Sequence, residues 1–505
     1  MGVLVSRVAL AGWLASAVVV GLTVAPLLVP SSGLAARDAA FSATQMAWLS
    51  DWLVGRVPLW EAPLGAPLGH GTARADWVLA QALVGLPARL AGLAPERVWA
   101  LTTVLGIVSS ALAAGWLAQR LFGPGAPVLV AVAGAACGPA VVGHAQHANL
   151  VQHAPWLLAA GLAWSGRAGA AGLVAGLSLH AGVYTGLHAL LAVVCVVLGR
   201  GRLRDDIRVA PGAALGLLTV LPVLWAYRVV ATREGWSVDP AQNIAGTLDL
   251  ARLLSPLGGA PLHSALFGLR APSPDPALPG YGLAIVGLCG LWLMAIRRDT
   301  RGLVLLGAVA FVLALGPVLL WDGRPTGVPL PGLFLDLAWS GGLRGPARWV
   351  AVTHGVLALG AAAVVSRLPQ RWGVALALGT VVMLWAETPR IPAVPIPAWP
   401  VALVQAVREA PGAALLDRPG RDACGEGRFA AALASGKSLV GGNYARYSPA
   451  LADVNHRAAR WPDSEAVSWL SSLGAVVVEH PPLRTSAPAG VDCARVEGHR
   501  VCALP

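Results

Sequence analysis

Three groups of side chains in this 505-residue chain have the types and spacing to do chemistry. The first is a set of carboxylates, Asp38, Asp51 and Asp76, between the first two long apolar runs. Asp38 opens a segment with helical patterning, where a carboxylate can cap free backbone N–H groups. The same group can act as a general base, accepting a proton from an acceptor hydroxyl. Asp51 lies further along that segment and Asp76 begins the next one; spacing alone does not rank the three. The second group is His144, Gln146, His147, Asn149, Gln152 and His153, with His180, Tyr184 and His188 continuing it. On a helix, His144 and His147 would share a face. Imidazole suits zinc and related ions, so a divalent metal ion is one reading of this pair. Hydrogen bonding to ligand or backbone is the other, because no carboxylate or cysteine accompanies them locally. The third group is the turn Arg344-Gly345-Pro346-Ala347-Arg348. Two guanidiniums held by a proline suit a lipid phosphate or pyrophosphate; simple anchoring to anionic lipid is the plainer role.

The elements that must position these groups are membrane spans. The chain is 56% hydrophobic and 12% charged, against about 25% charged in average soluble proteins, which excludes a single water-soluble core. Runs long enough to cross a bilayer, or nearly so, fall at 8–29, 98–119, 127–143, 154–165, 169–182, 184–199, 209–227, 281–296, 302–320, 349–366 and 373–387. The net charge of +11 is almost all arginine, Lys437 being the only lysine. Those arginines sit at the ends of apolar runs, which signals topology and not a nucleic-acid partner. With the N-terminus cytoplasmic, the inner connections hold Arg7, Arg120, Arg167, Arg200, Arg297, Arg298, Arg301, Arg367 and their neighbours, opposed only by Asp205, Asp206 and Asp299. The outer connection 30–97 instead balances its arginines against Asp38, Asp51, Glu61, Asp76 and Glu96. All three groups of interest then face outward. The run 8–29 exceeds a signal-peptide core of about 7–15 residues and reads as an uncleaved anchor.

Within the outer connection, Phe41, Met46, Trp48, Leu49, Trp52 and Leu53 pattern an interfacial helix over 38–54. Trp48, Trp52, Trp60, Trp77 and Trp99 suit an aromatic belt. The expected organisation is a mainly α transmembrane bundle at 1–387, a Pro-rich linker at 388–399, and a small extracytoplasmic α/β domain at 400–505. In that last part Cys493 and Cys502 flank a tight hairpin, and a disulfide is expected between them in an oxidising compartment. Cys424 is then left over, while Cys137, Cys195 and Cys289 lie in apolar spans and pack as small hydrophobes. No P-loop, paired CxxC, HExxH or GxSxG motif is present.

Several stretches resemble the GT-C glycosyltransferase superfamily of bacterial multi-pass membrane proteins. Arg37-Asp38 through Pro58-Leu59-Trp60-Glu61 and Gly65-Ala66-Pro67-Leu68 looks like its first-loop pattern, with Glu61 and Ala62 where Asn and Pro are usual. Gly143-His144 through Ala154-Pro155-Trp156-Leu157 is similar to its Gly-His segment, and Leu343-Arg344-Gly345-Pro346-Ala347-Arg348 to its Arg-x-Pro-x-Arg turn. Gly436-Lys437-Ser438-Leu439-Val440-Gly441-Gly442-Asn443-Tyr444 and Leu473-Gly474-Ala475-Val476-Val477-Val478 match that class of C-terminal domain. The resemblance implies transfer of a sugar from a polyprenyl-phosphate donor to a glycan, lipid or protein acceptor at the outer face of the plasma membrane. By position Asp38 would be the base, Arg344 and Arg348 would hold the donor phosphate, and His144, His147, His153 and Trp60 would contact sugar or acceptor. A transporter or flippase of lipid-linked glycans is the first rival, opposed by the lack of matching broken spans or repeats. A non-catalytic GT-C-like membrane protein is the second.

Overall fold

The computed structural model describes residues 2–28, 33–34, 37–64, 66–74, 77–145, 147–201, 207–236, 244, 246–253, 255, 260–267, 279–333, 345–389, 393–394, 399–418, 427–441, 448–481, 483, 487–488 and 490–504. They form two compact units. One comprises Met1–Pro30, Leu101–Leu221 and Val238–Pro392; the other comprises Ser31–Ala100, Pro222–Ser237 and Ala393–Pro505.

The first unit is helical. Its elements include α1 (Gly2–Leu28), α4 (Pro95–Phe122, from Leu101 onward), α5 (Ala126–Cys137), α6 (Pro139–Gly143), α7 (Ala154–Trp164), α8 (Ala168–Leu177), α9 (Val183–Arg200) and the first half of α10 (Val209–Glu234). After these come α11 (Pro261–Phe267), α12 (Tyr281–Ala295), α13 (Arg301–Ala314), α14 (Val350–Arg367) and α15 (Gln370–Glu387). Among the described residues six helices are long and apolar enough to cross a membrane: Arg7–Leu28, Pro95–Phe122, Ala126–Gly143, Val183–Arg200, Val209–Glu234 and Pro346–Arg367. The two short runs at 154–165 and 169–182 form α7 and α8. At 1.5 Å per residue α7 extends only about 16 Å, about half a bilayer core, and seven of its eleven residues are buried.

Lipid offers apolar side chains as good a home as protein does, so the helices are held by close packing of small residues. Gly172 and Gly176 of α8 meet Gly212 and Gly216 of α10, and both pairs have i, i+4 spacing. A Cβ on Gly216 would lie 2.7 Å from the backbone of Gly176. Gly287 and Gly290 of α12 face Gly360 of α14 in the same way, and Gly134 of α5 faces Ala358. The core is α5 and α14, buried along almost their whole lengths, whereas α10 turns Leu215, Leu218 and Leu221 outward. Two basic side chains close the helix ends electrostatically. Arg200 Nη1 donates to the Ala163 carbonyl at 2.5 Å, and Arg301 donates to that of Gly199.

The run 302–320 departs from a single span. Helix α13 stops at Ala314, where Gly316 takes a left-handed φ of 72° and Pro317 follows. Val318–Trp321 then becomes strand β2, paired antiparallel with β3 (Arg324–Pro329). The connecting Asp322 and Gly323 both have positive φ, as a two-residue hairpin demands. Asp249 fastens the turn: its Oδ1 accepts from Ala251 N and Asp322 N, both at 3.0 Å, and its Oδ2 from Gly323 N at 2.6 Å.

The second unit holds a five-stranded sheet of β5 (Ala414–Arg418), β6 (Ser438–Leu439), β7 (Ala475–Glu479), β8 (Asp492–Val496) and β9 (His499–Ala503), in the order β6-β5-β7-β9-β8. β5 runs parallel to β6 and β7; β9 is antiparallel to β7 and β8. Alternation along β7 sends Val476 and Val478 to one apolar core and Ala475 and Val477 to the other. Helices α16 (Val401–Glu409) and α17 (Gly427–Ser435) cover the first core, and α18 (Pro449–Ala459) with α19 (Ser464–Ser472) the second. Cys493 and Cys502 are disulfide-bonded across β8 and β9; Cys424 lies outside the described residues.

The segment after the first span belongs to this same unit. Its helix α2 (Arg37–Leu53) places Phe41 edge-on to Phe429, ring centres 5.4 Å apart. Pro63 O accepts from Leu439 N at 3.2 Å, and Ala66 N donates to Leu439 O at 2.7 Å, so Pro63 and Ala66 bond to the β6 edge. Phe41, Met46 and Leu49, expected from sequence at the membrane interface, are covered by protein.

The glycine crossing gives a direct test. Gly216→Leu forces side-chain volume into backbone and should cost about 1–3 kcal/mol, read as a lower melting temperature in detergent. Leu215→Ala, on the outward face, should leave melting near wild type.

Candidate functional site

Polar side chains gather in the first unit at the end of the bundle where α6 finishes and α9 and α14 begin. The segment joining α6 to α7 is a series of turns, and its shape is set by neighbours. Ser110 of α4 is the main one. Its hydroxyl oxygen accepts from His153 N at 2.8 Å and from Ala154 N at 3.2 Å, capping α7 from outside. Thr185 of α9 fixes the middle of the segment, donating to Asn149 O at 2.7 Å.

These constraints orient the imidazoles. His153 Nδ1 accepts from Trp156 Nε1 at 3.1 Å, so its proton is on Nε2 when the ring is neutral. That Nε2–H is buried and has no partner among the described residues. His144 Nδ1 lies 2.8 Å from Ala140 O, so its Nδ1–H donates there in the neutral ring. The rings of His144 and His147 are 6.5 Å apart. They lie in turns after α6, not along one helix face. Among the described residues no three His, Cys, Asp or Glu side chains gather as metal ligands.

Arg348 reaches the same end from a 3-10 turn, Pro346–Trp349, that leads into α14. Gly345 precedes it with a left-handed φ of 66°, and Ala347 N donates to Gly246 O at 2.9 Å. The Arg348 guanidinium lies over the Tyr184 ring, 5.0 Å from its centre, a cation–π contact that leaves the fork's N–H groups available. Trp349 packs edge-on against His188 at 4.7 Å, and the buried His188 Nε2 has no partner among the described residues. Buried nitrogens without partners are rare in folded proteins and mark ligand or water sites. An arginine, a tyrosine and two such histidines thus gather in an apolar bundle, groups with the chemistry to meet an anion or a hydroxyl.

The carboxylates belong to the second unit. Asp51 is 8% exposed and already engaged: Arg89 Nη2 lies 2.9 Å from Oδ2 and Arg56 Nη1 3.6 Å from Oδ1. Asp38 falls in the first turn of α2; its side chain, together with Asp76 and Arg344, lies outside the described residues. Trp60 is half-buried and stacks on Trp77 at 6.5 Å. No local sequence signal singles out Ser110 or Trp349. The hydroxyl is one of many in apolar helices, although the tryptophan directly follows Arg348.

These apolar helices and their packing make the chain a multi-pass membrane protein. No protein-family model matches the sequence, and no curated protein does. Solved structures do. The chain is similar to the cryo-EM structure of the arabinofuranosyltransferase AftD from Mycobacteria, with a TM-score of 0.56 at 16% identity over 97% of this chain and 40% of that one. A mutant of AftD gives 0.57 at 16%, over 97% and 41%. ArnT from Cupriavidus metallidurans bound to undecaprenyl phosphate gives 0.49 at 13%, over 98% of both chains. The chain thus spans about two fifths of the length of the AftD chains it matches. Its fold is GT-C-like.

Ser110→Ala should expose the dependence of this segment on one hydroxyl. Two buried N–H groups lose their acceptor, at about 1–3 kcal/mol, and thermal melting should fall accordingly. Ser109→Ala, which removes only a bond to Gly106 O at 2.9 Å, should change melting much less.

Proposed function

We propose that the protein is a membrane glycosyltransferase that moves a sugar from a polyprenyl-phosphate donor to an acceptor hydroxyl at the outer face of the membrane. The observation carrying this reading is the Arg348–Tyr184 pair beside the unpartnered nitrogens of His153 and His188, set in a GT-C-like bundle. In this reading the N-terminus is cytoplasmic and the sheet-bearing unit lies outside, in the plasma membrane of a bacterium. The donor is bound with its phosphate at Arg348 and Arg344. The buried Nε2–H of His153 donates to a sugar or phosphate oxygen, and His144 and His147 orient the sugar, with Trp60 contacting sugar or acceptor.

Asp38 is the base. It takes the acceptor's hydroxyl proton as that oxygen attacks the anomeric carbon; the bond from that carbon to the phosphate oxygen breaks, and polyprenyl phosphate leaves with the electron pair. Arg348 supplies positive charge where negative charge develops, a role worth about 10²–10³ in rate. Asp51 is assigned a structural role, because Arg89 and Arg56 already hold its carboxylate. AftD is named for arabinofuranosyl transfer, which makes polyprenyl-phosphate-linked arabinofuranose the first donor to assay.

Radiolabelled transfer in membranes tests the assignment. Asp38→Asn should lower turnover by about 10²–10⁴, the usual worth of base assistance, with insertion and abundance unchanged; wild-type turnover in that variant ends the assignment. Asp51→Asn should behave oppositely, retaining turnover while melting earlier through loss of the Arg89 pair.

A further inference from the structure

A separate group of side chains stands at one edge of the sheet in the second unit. Adjacent parallel strands end there at Asp417-Arg418 and Glu479-His480, and antiparallel β9 begins there with His499. The carboxyl edge of parallel strands is the usual ligand side of an α/β sheet. His480 Nε2 lies 2.7 Å from Asp417 Oδ1, and the carboxylate side chain is only 2% exposed. The other oxygen, Oδ2, is buried with no partner among the described residues. A buried carboxylate with one donor fixes that donor. Neutral His480 is therefore the Nε2–H tautomer, with its Nδ1 lone pair directed away from Asp417. No described residue donates to that Nδ1.

Two rings flank it. Trp399 meets His480 edge-on at 5.0 Å and His499 does so at 4.8 Å. Burial and the neighbouring His480 hold the His499 pKa below the ordinary histidine value, against the opposing pull of Glu497 and Asp417. Two guanidiniums nearby are engaged: Arg500 pairs with the buried Glu479 at 2.7 Å, and Arg418 Nη2 donates to Trp461 O at 3.5 Å. Strand alternation puts Arg418, Arg495 and Arg500 on the face of the sheet opposite Asp417, and the described side chains make no metal-ligand set. What the edge offers is acceptor atoms beside an indole, which suits a neutral ligand rich in hydroxyl donors and C–H faces.

We propose that Asp417, His480, His499 and Trp399 form a saccharide-binding subsite. Sugar hydroxyls donate to His480 Nδ1 and the C–H face of a ring packs on Trp399. The inference rests on the transferase reading in one respect only, that the bound saccharide is part of the acceptor. The test is calorimetric binding to the full-length protein in nanodiscs without lipid donor, using a linear arabinofuranosyl hexasaccharide and maltohexaose as probes. Wild type should bind at least one. Trp399→Ala and His480→Phe should each weaken Kd tenfold or more, and His480→Gln, which restores an acceptor oxygen, should recover part of the loss. Should His480→Phe fail to fold, Trp399→Ala decides. The subsite is overturned if neither probe binds, or if Trp399→Ala binds as wild type does. Because no donor is present, binding persists if only the transferase reading fails, and robust transfer without saccharide binding removes only this subsite.

Discussion

Inside an apolar bundle, a polar group must find its partner within the protein or in a ligand, because lipid supplies none. That constraint organises the first unit. Its backbone is largely satisfied within helices, its carbonyl ends by Arg200 and Arg301, and the irregular stretch between α6 and α7 by Ser110 and Thr185. Against that background the unpartnered nitrogens of His153 and His188 are exceptions. They cluster at the end of the bundle that also carries Arg348. A cost of about 1–3 kcal/mol for each unmet buried group is retained only where something repays it, which is why this end of the bundle reads as a binding site.

The units solve the packing problem in different ways. In the first, apolar contact with lipid competes evenly with apolar contact with protein, so backbone proximity at glycine does the holding. Gly172, Gly176, Gly212 and Gly216 make one such crossing and Gly287, Gly290 and Gly360 another. In the second unit, burial from water provides the drive. Its sheet is apolar on both faces, with β7 buried at all five positions, and α2 joins one of those faces through Phe41 and Phe429. The aromatic and aliphatic residues of α2 are the same type either way. Only their long-range partners decide whether they meet lipid or protein.

That distinction separates what was legible in the sequence from what was not. Hydropathy located the long spans, because a run of about 20 apolar residues has few other fates. The sheet near the C-terminus was legible from alternation and from the apolar run Ala475–Val478. The hairpin at Val318–Trp321 was hidden, since its residues are as apolar as the helix before them; Gly316-Pro317 and Asp322-Gly323 were the local signals. Site geometry was the least legible part. His144 and His147 have helical spacing, yet α6 ends at Gly143 and turns follow. The Arg348–Tyr184 contact and the Asp51–Arg89 pair join residues far apart in sequence, and no spacing rule reaches across such distances.

The different states of the carboxylates and histidines carry a chemical consequence. Asp51 gives Oδ2 to Arg89, with Arg56 3.6 Å from Oδ1, and Asp249 is saturated by three backbone N–H groups. Lone pairs committed to fixed donors are not open to a substrate hydroxyl. A working base must instead keep a lone pair unspent until substrate arrives. By that criterion Asp249 serves structure and Asp51 is engaged with Arg89, and in the proposed transfer the proton passes to a carboxylate outside such pairings. The histidines of the first unit show the complementary condition. Held by Ser110 and Trp156 on one side and open on the other, His153 is pre-oriented before anything binds, so a ligand there loses little to ordering the site.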